Sequence, residues 1–145
     1  MKIYDEEYFE QEINKKIRSH GVWCNHIESA IHGFPDTIAA GRRTLYIEYK
    51  VGGINSRLID CYQPTQLKVH RDLFANGASV ITALVDVDKS VLMFQSGLML
   101  NDALSNIDVR FISFGHKFFK TTDDFAVSVS KYTSGMCTED EFFRI

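Results

Sequence analysis

Apolar side chains recur at every fourth position near the start of the chain. Phe9, Ile13 and Ile17 stand in an otherwise charged segment over residues 5–19. Because residues four apart lie on one face of an α-helix, this spacing predicts an amphipathic helix that ends before Gly21. We expect that helix to cover a sheet built from the segments that follow.

Those segments have the composition of β-strands. Residues 21–29 are predicted to form one strand, and residues 36–40 and 44–50 a hairpin that turns at residues 41–43. The hairpin makes the second and third strands antiparallel neighbours.

A proline and a glycine mark the ends of the next helix. Pro64 suits the first helical position, and the helix is expected to run to about Asn76, with Gly77 as the left-handed residue that ends it. Residues 79–85 then form a continuous run rich in β-branched side chains, which is typical of a buried strand.

The later part of the chain gives weaker patterns. They predict a strand over residues 91–95, a short helix over 98–104 and a strand over 109–114. They also predict an amphipathic segment over 123–132, whose type of secondary structure the pattern leaves undecided. The order is therefore α-β-β-β-α-β followed by a β-α-β appendage. This order predicts an α/β (α+β) fold in which helices flank a central mixed sheet.

Length and composition narrow the class of protein. The chain has 145 residues, of which 45% are hydrophobic, so we expect a single domain over 1–145 with a core at about 5–86 and an appendage at about 87–145. Its apolar runs are shorter than a membrane span, and its start is acidic, unlike a signal peptide. Three widely spaced cysteines argue against a disulfide framework and a CxxC zinc site. We expect a cytoplasmic protein with no membrane partner.

The predicted hairpin carries charged residues that could do chemistry. Side chains alternate between the faces of a strand, so Glu48 and Lys50 share one face. If Asp36 opens the preceding antiparallel strand, its carboxylate can approach Glu48 across the pair. Two oxygen donors for a hard divalent cation would then lie beside one positive side chain, which suits the binding and cleavage of a phosphodiester.

The same residues resemble the motif of the PD-(D/E)XK nuclease superfamily. Pro35-Asp36 corresponds to PD and Glu48-Tyr49-Lys50 to (D/E)XK. The resemblance implies a restriction-endonuclease-like core and a Mg²⁺-dependent endonuclease, with Mn²⁺ as a substitute.

Two further positions extend the resemblance to archaeal Holliday junction resolvases and VRR-NUC nucleases. Glu10 holds the place of the acidic residue on their first helix, and Gln66 that of a glutamine opening the later helix, with Gln63 as its rival. The matched region covers roughly residues 5–86.

The resemblance implies a role for each motif residue. The catalytic set would be Glu10, Asp36, Glu48, Lys50 and Gln66. Asp36 and Glu48 would ligate the cation, together with the backbone carbonyl of Tyr49, while Glu10 would complete the carboxylates or ligate through water. Lys50 would stabilise the attacking water or the scissile phosphate, or act as a base, and the Gln66 amide would orient a phosphate or a water.

The implied partner is DNA, which would be Holliday junction or other branched DNA in recombination, repair or phage DNA processing. The net charge of −3 requires a local binding surface or one supplied by a homodimer, because phosphate affinity comes from Lys and Arg. Arg42, Arg43, Lys68 and Arg71 are the candidates, although the two arginines could equally be turn residues kept in water. The resemblance implies a homodimer in a bacterial, archaeal or phage-infected cell.

Each role has a plainer competitor. A Glu and a Lys on an outer strand face commonly form a solvated ion pair, and Glu10 could belong to a charged helix face. The five histidines lack zinc-binding spacing and are expected to be surface or capping residues. The alternative function is a catalytically inactive protein of the nuclease fold, acting as an accessory or inhibitor.

Overall fold

The first helix follows the apolar spacing of the sequence. In the computed structural model, which describes residues 5–52, 63–98 and 116–143, helix α1 spans Glu6–Arg18. It begins at Asp5, whose carboxylate accepts a hydrogen bond from the backbone N–H of Tyr8. Phe9, Ile13 and Ile17 are buried, as the spacing predicts.

The described residues form one mixed sheet of six strands in chain order. The strands are β1 (Trp23–His26), β2 (Thr37–Ala40), β3 (Thr44–Val51), β4 (Ser79–Val85), β5 (Val91–Phe94) and β6 (His116–Phe119). Within this part of the chain, β3 and β4 pair in parallel and all other neighbours are antiparallel. The predicted central mixed sheet is confirmed.

Helix α2, Pro64–Ala75, lies between the two parallel strands in the chain. Gln63 and Gln66 form its capping box, and Gly77 has a φ of +89°, which confirms its predicted left-handed conformation. A short 3₁₀-helix, Ser96–Leu98, follows β5 and packs against α2.

The C-terminal segment is helical. Helix α3 spans Thr122–Thr133, so the amphipathic segment predicted over residues 123–132 is a helix. Helix α4 spans Glu139–Phe143. The predicted strand at 91–95 is confirmed as β5, whereas strand β6 was not predicted. The predicted helix at 98–104, apart from Leu98, and the predicted strand at 109–114 lie outside the described residues.

Helices α1 and α3 cover one face of the sheet. Their buried side chains form a core with Leu45, Ile47 and Tyr49 of β3. The even-numbered residues of β3 therefore face the other side, toward α2. Among the described helices, none is long and apolar enough to cross a membrane.

Candidate active site

The two charged residues of β3 are buried. Glu48 is 1% exposed and Lys50 is 8% exposed, and they share the face of the strand opposite the apolar core. A solvated surface ion pair is thus excluded as an account of these two residues. Burial of a carboxylate and an ammonium group costs free energy, so their surroundings have to compensate.

Asp36 lies directly across from Glu48. The last β2–β3 register pair is Thr37 with Ile47, and the next antiparallel position places Asp36 opposite Glu48. Burial, followed by hydrogen bonding to Glu48 and the charge of Glu48, raises the pKa of Asp36 to about 8, while Lys50 opposes the rise. Burial also raises the pKa of Glu48.

Helix α2 contributes an amide to the same carboxylate. Nε2 of Gln66 lies 3.5 Å from Oε1 of Glu48, while Oε1 of Gln66 accepts a 3.0 Å hydrogen bond from the backbone N–H of Gln63. The structure therefore brings Gln66 to the carboxylates and gives Gln63 a capping role.

His70 also reaches this carboxylate, and our prediction that each histidine is a surface or capping residue is wrong for it. It is fully buried, with Nε2 at 3.8 Å from Oε1 of Glu48. Burial, followed by the charge of Lys50, lowers the pKa of His70 to about 4, so the ring is neutral at pH 7. Its position four residues after Gln66 is the sequence signal that could have revealed it.

Glu10 belongs to a buried hydrogen-bond network and not to the charged face of α1. It is 7% exposed and accepts hydrogen bonds from Nδ1 of His26 and Oγ1 of Thr37. Thr37 in turn accepts from the Asn14 side chain, which also accepts from the Tyr49 hydroxyl at 2.9 Å. This network fixes α1 to β2 and β3 beside the site, and the charge of Glu10 acts on Glu48.

Two clefts meet beside these carboxylates. One is lined by Glu6, Glu10, His26 and Asp36, and the other runs along the loop of residues 27–34 to Gln63 and Gln66, again past His26 and Asp36. Desolvation raises the pKa of Glu6, Lys50 opposes that rise, and the charges of Asp36 and Glu10 add to it. The site is accordingly open to solvent on the side of α1.

Gly33 holds the cleft loop against α2. Its φ is +84°, and a Cβ there would collide with the Thr65 carbonyl and lie 2.7 Å from the backbone nitrogen of Gln66. Only glycine allows the loop that leads into Asp36 to approach the start of α2 so closely.

The arginines of the hairpin turn are not brought to this site. They follow Ala40, at the opposite end of β2 from Asp36. The Arg43 guanidinium donates to the carbonyl oxygens of Tyr132 and Cys137 and lies 4.9 Å from the Tyr132 ring centroid. On α2, Lys68 is exposed and Arg71 half-buried.

The donor set is oxygen-rich. Among the residues that the structure describes, no three His, Cys, Asp or Glu side chains stand together as a ready metal site. The two facing carboxylates of Asp36 and Glu48, with the peptide carbonyl of Tyr49 adjoining Glu48, are the kind of ligands that a hard cation takes.

Comparisons with known proteins find similarity among solved structures. No family model and no curated protein matches the chain. A search of solved structures finds Hjc, a Holliday junction resolvase from the archaeal hyperthermophile Archaeoglobus fulgidus, at 22% identity, over 59% of this chain and 72% of that chain, with a TM-score of 0.46.

Proposed function

We propose that the protein is a divalent-cation-dependent PD-(D/E)XK nuclease that hydrolyses phosphodiester bonds in DNA. The observation that carries the proposal is the convergence of a half-buried carboxylate, Asp36, with the buried Glu48 and Lys50 beside an open cleft. A carboxylate and a lysine held out of water beside a second, half-buried carboxylate are costly to a fold, and a cation and a phosphate would offset that cost.

Asp36 and Glu48 would hold the cation, Mg²⁺ or Mn²⁺, with the Tyr49 carbonyl as a third oxygen. Mg²⁺ keeps several of its waters, so few protein oxygens suffice. When bound, such a cation supplies a nucleophilic water at neutral pH and offsets negative charge on the phosphoryl oxygens. Glu10, held by His26 and Thr37, is placed to reach the same region through a water.

Lys50 and Gln66 would stabilise charge and orient groups at the proposed cation site. Lys50 lies beside both carboxylates, where its charge would stabilise the attacking water or the scissile phosphate. The Gln66 amide approaches Glu48 and would orient that carboxylate together with a phosphate or a water.

Branched DNA, with the Holliday junction as its leading example, is the substrate that we propose, in recombination, repair or phage DNA processing. The open clefts beside Asp36 support an extended ligand. Lys68 and Arg71 on α2 are the basic residues nearest in sequence to Gln66, and Arg42 and Arg43 would contact DNA away from the carboxylates. A cytoplasmic homodimer and a single domain over 1–145 stay predictions; the domain prediction is supported by β5 and β6 extending the same sheet.

The test is a substrate panel. Labelled four-way junction, splayed, duplex and single-stranded DNA are incubated with Mg²⁺ or Mn²⁺ and with wild type, Glu48→Ala or Lys50→Ala. We expect cation-dependent cleavage, fastest on the junction, that both variants lose. If folded wild-type protein cuts no DNA with either cation, the proposal fails and an inactive nuclease-fold binding protein takes its place.

A further inference from the structure

One face of α2 presents two nitrogens to a single oxygen of Glu48. Gln66 and His70 are one helical turn apart, and their side-chain nitrogens lie 3.5 and 3.8 Å from Oε1 of that carboxylate. The exposed fraction is 0% for His70 and 1% for Glu48. The motif resemblance assigns no role to His70.

The other ring nitrogen of His70 is fixed by the 3₁₀-helix. Nδ1 lies 2.5 Å from Oγ of Ser96, which is itself fully buried. The neighbouring Gly97 makes this contact possible, because a Cβ at that position would lie 2.8 Å from the His70 carbonyl oxygen and closer still to Phe74. The close approach of the two helices therefore sets the direction in which the imidazole faces.

We propose that His70 is a positioning residue that holds Glu48 in the orientation needed to bind a divalent cation. In this arrangement the Ser96 hydroxyl would donate to Nδ1, which would leave the imidazole proton on Nε2, facing Oε1 of Glu48. This inference rests on the proposed function, since it concerns the cation that Glu48 would bind.

A neutral donor suits this task better than a charged one. An imidazole N–H can fix a carboxylate while leaving its negative charge for the cation, whereas a lysine at the same place would compete with the cation. Polar groups that orient ligating side chains commonly set metal affinity, and the loss of such a group typically costs about 10- to 100-fold.

Calorimetric titration of the full chain with Mn²⁺ tests the inference without depending on cleavage. Wild type is compared with His70→Leu, His70→Gln and Ser96→Ala. We expect His70→Leu to weaken Mn²⁺ binding by about tenfold or more. His70→Gln keeps a side-chain N–H directed at Glu48 and should bind more tightly than His70→Leu, and Ser96→Ala should lie between wild type and His70→Leu.

Leu67→Val is the matched control, since Leu67 is a fully buried residue of the same helix with an apolar side chain. It should lower the unfolding temperature in EDTA and leave Mn²⁺ affinity unchanged. If His70→Leu does not fold, the Mn²⁺ affinities of wild type, His70→Gln and Ser96→Ala test the positioning role, and the two variants should bind Mn²⁺ more weakly than wild type.

Two results would overturn the positioning role of His70, and only one of them would also overturn the proposed function. Wild type that binds Mn²⁺ while the His70 and Ser96 variants bind it equally well removes the positioning role alone. Wild type that binds no Mn²⁺ removes both this role and the proposed function.

Discussion

Asp36 and Glu48 occupy facing positions of the β2–β3 pair, where each carboxyl group shifts the pKa of the other. A buried carboxylate and a half-buried one so close together cannot both ionise freely, so near neutral pH the pair retains a proton when no cation is bound. The protonation of this pair therefore depends on the fold and gives the cation-free protein a measurable pH dependence.

In EDTA, the free energy of unfolding should fall as pH rises from 6.5 to 8. Unfolded Asp36 loses its proton near its ordinary value of 3.8, whereas the folded protein keeps it up to a pKa of about 8, so folding takes up a proton between those values and loses stability as pH rises. Urea unfolding of wild type and Asp36→Asn measures the difference.

The pH range of this prediction starts at 6.5 because, below that pH, His70 changes the free energy of unfolding in the opposite direction. Its pKa is lowered from 6.5 to about 4, so stability from the neutral ring is lost as pH falls through that range. Parallel pH profiles for wild type and Asp36→Asn between 6.5 and 8 would contradict the raised pKa of Asp36.

His26 should stabilise the fold more in acid than in base. Its hydrogen bond to Glu10 is the main cause that raises its pKa, with the charges of Glu10, Asp36 and Glu28 adding to the effect and desolvation opposing it. A raised histidine pKa gives stability that is present below 6.5 and lost as pH rises through the folded-state value. Wild type should exceed His26→Asn in unfolding free energy by more in acid than in base.

The exposed His20 provides the control for that measurement. His20→Asn should give a smaller pH-dependent difference from wild type, because the structure describes no carboxylate hydrogen bond for its ring. Equal differences for the two variants would remove the Glu10–His26 pair as the cause.

Gly33→Ala should destabilise the protein more than Gly77→Ala. Both glycines have a φ near +85°, at +84° and +89°, so alanine costs about 1–2 kcal/mol at either position through backbone strain. A Cβ at Gly77 meets nothing within 4 Å, whereas one at Gly33 collides with the backbone at Thr65 and Gln66. Urea unfolding of the two variants isolates that contact, and equal losses would show that the loop does not press on α2.

Lys50→Met should separate cation binding from cleavage. Methionine keeps much of the buried apolar stem of lysine but removes the charge. We expect cleavage of DNA to slow by about 100-fold or more, as for the loss of a charge-stabilising donor, while calorimetry still detects Mn²⁺ binding. Loss of Mn²⁺ binding in a folded Lys50→Met protein would instead show that Lys50 organises the two carboxylates.

Local patterns account for the parts of the fold that the sequence predicts well. The apolar spacing of α1, the turn at residues 41–43 and the Pro64 and Gly77 boundaries of α2 all act within a few residues. The facing of Asp36 and Glu48 follows from the same hairpin, since antiparallel pairing fixes which residues oppose each other.

The contacts that the crossover makes depend on tertiary packing, and the spacing from Gln66 predicts only that His70 lies on the same face of α2. His70 becomes part of the site only because α2 crosses from β3 to β4 and packs over Glu48, and its partner Ser96 comes from beyond β5. Similarly, nothing in the hairpin turn indicates that Arg43 would bind the carbonyl oxygens of Tyr132 and Cys137. Tertiary packing decides such pairings.

The proposed cation-dependent cleavage is tested most directly by the single-turnover rate of four-way junction cleavage as a function of Mg²⁺ concentration. Wild type is compared with Asp36→Asn and with Asp123→Asn, which alters an exposed carboxylate that pairs with Lys16 on the other side of the sheet. A metal site at Asp36 and Glu48 predicts a saturable Mg²⁺ dependence for wild type and Asp123→Asn, and no cleavage above background for Asp36→Asn. Equal rates for all three proteins, or a rate that does not depend on Mg²⁺, would contradict it.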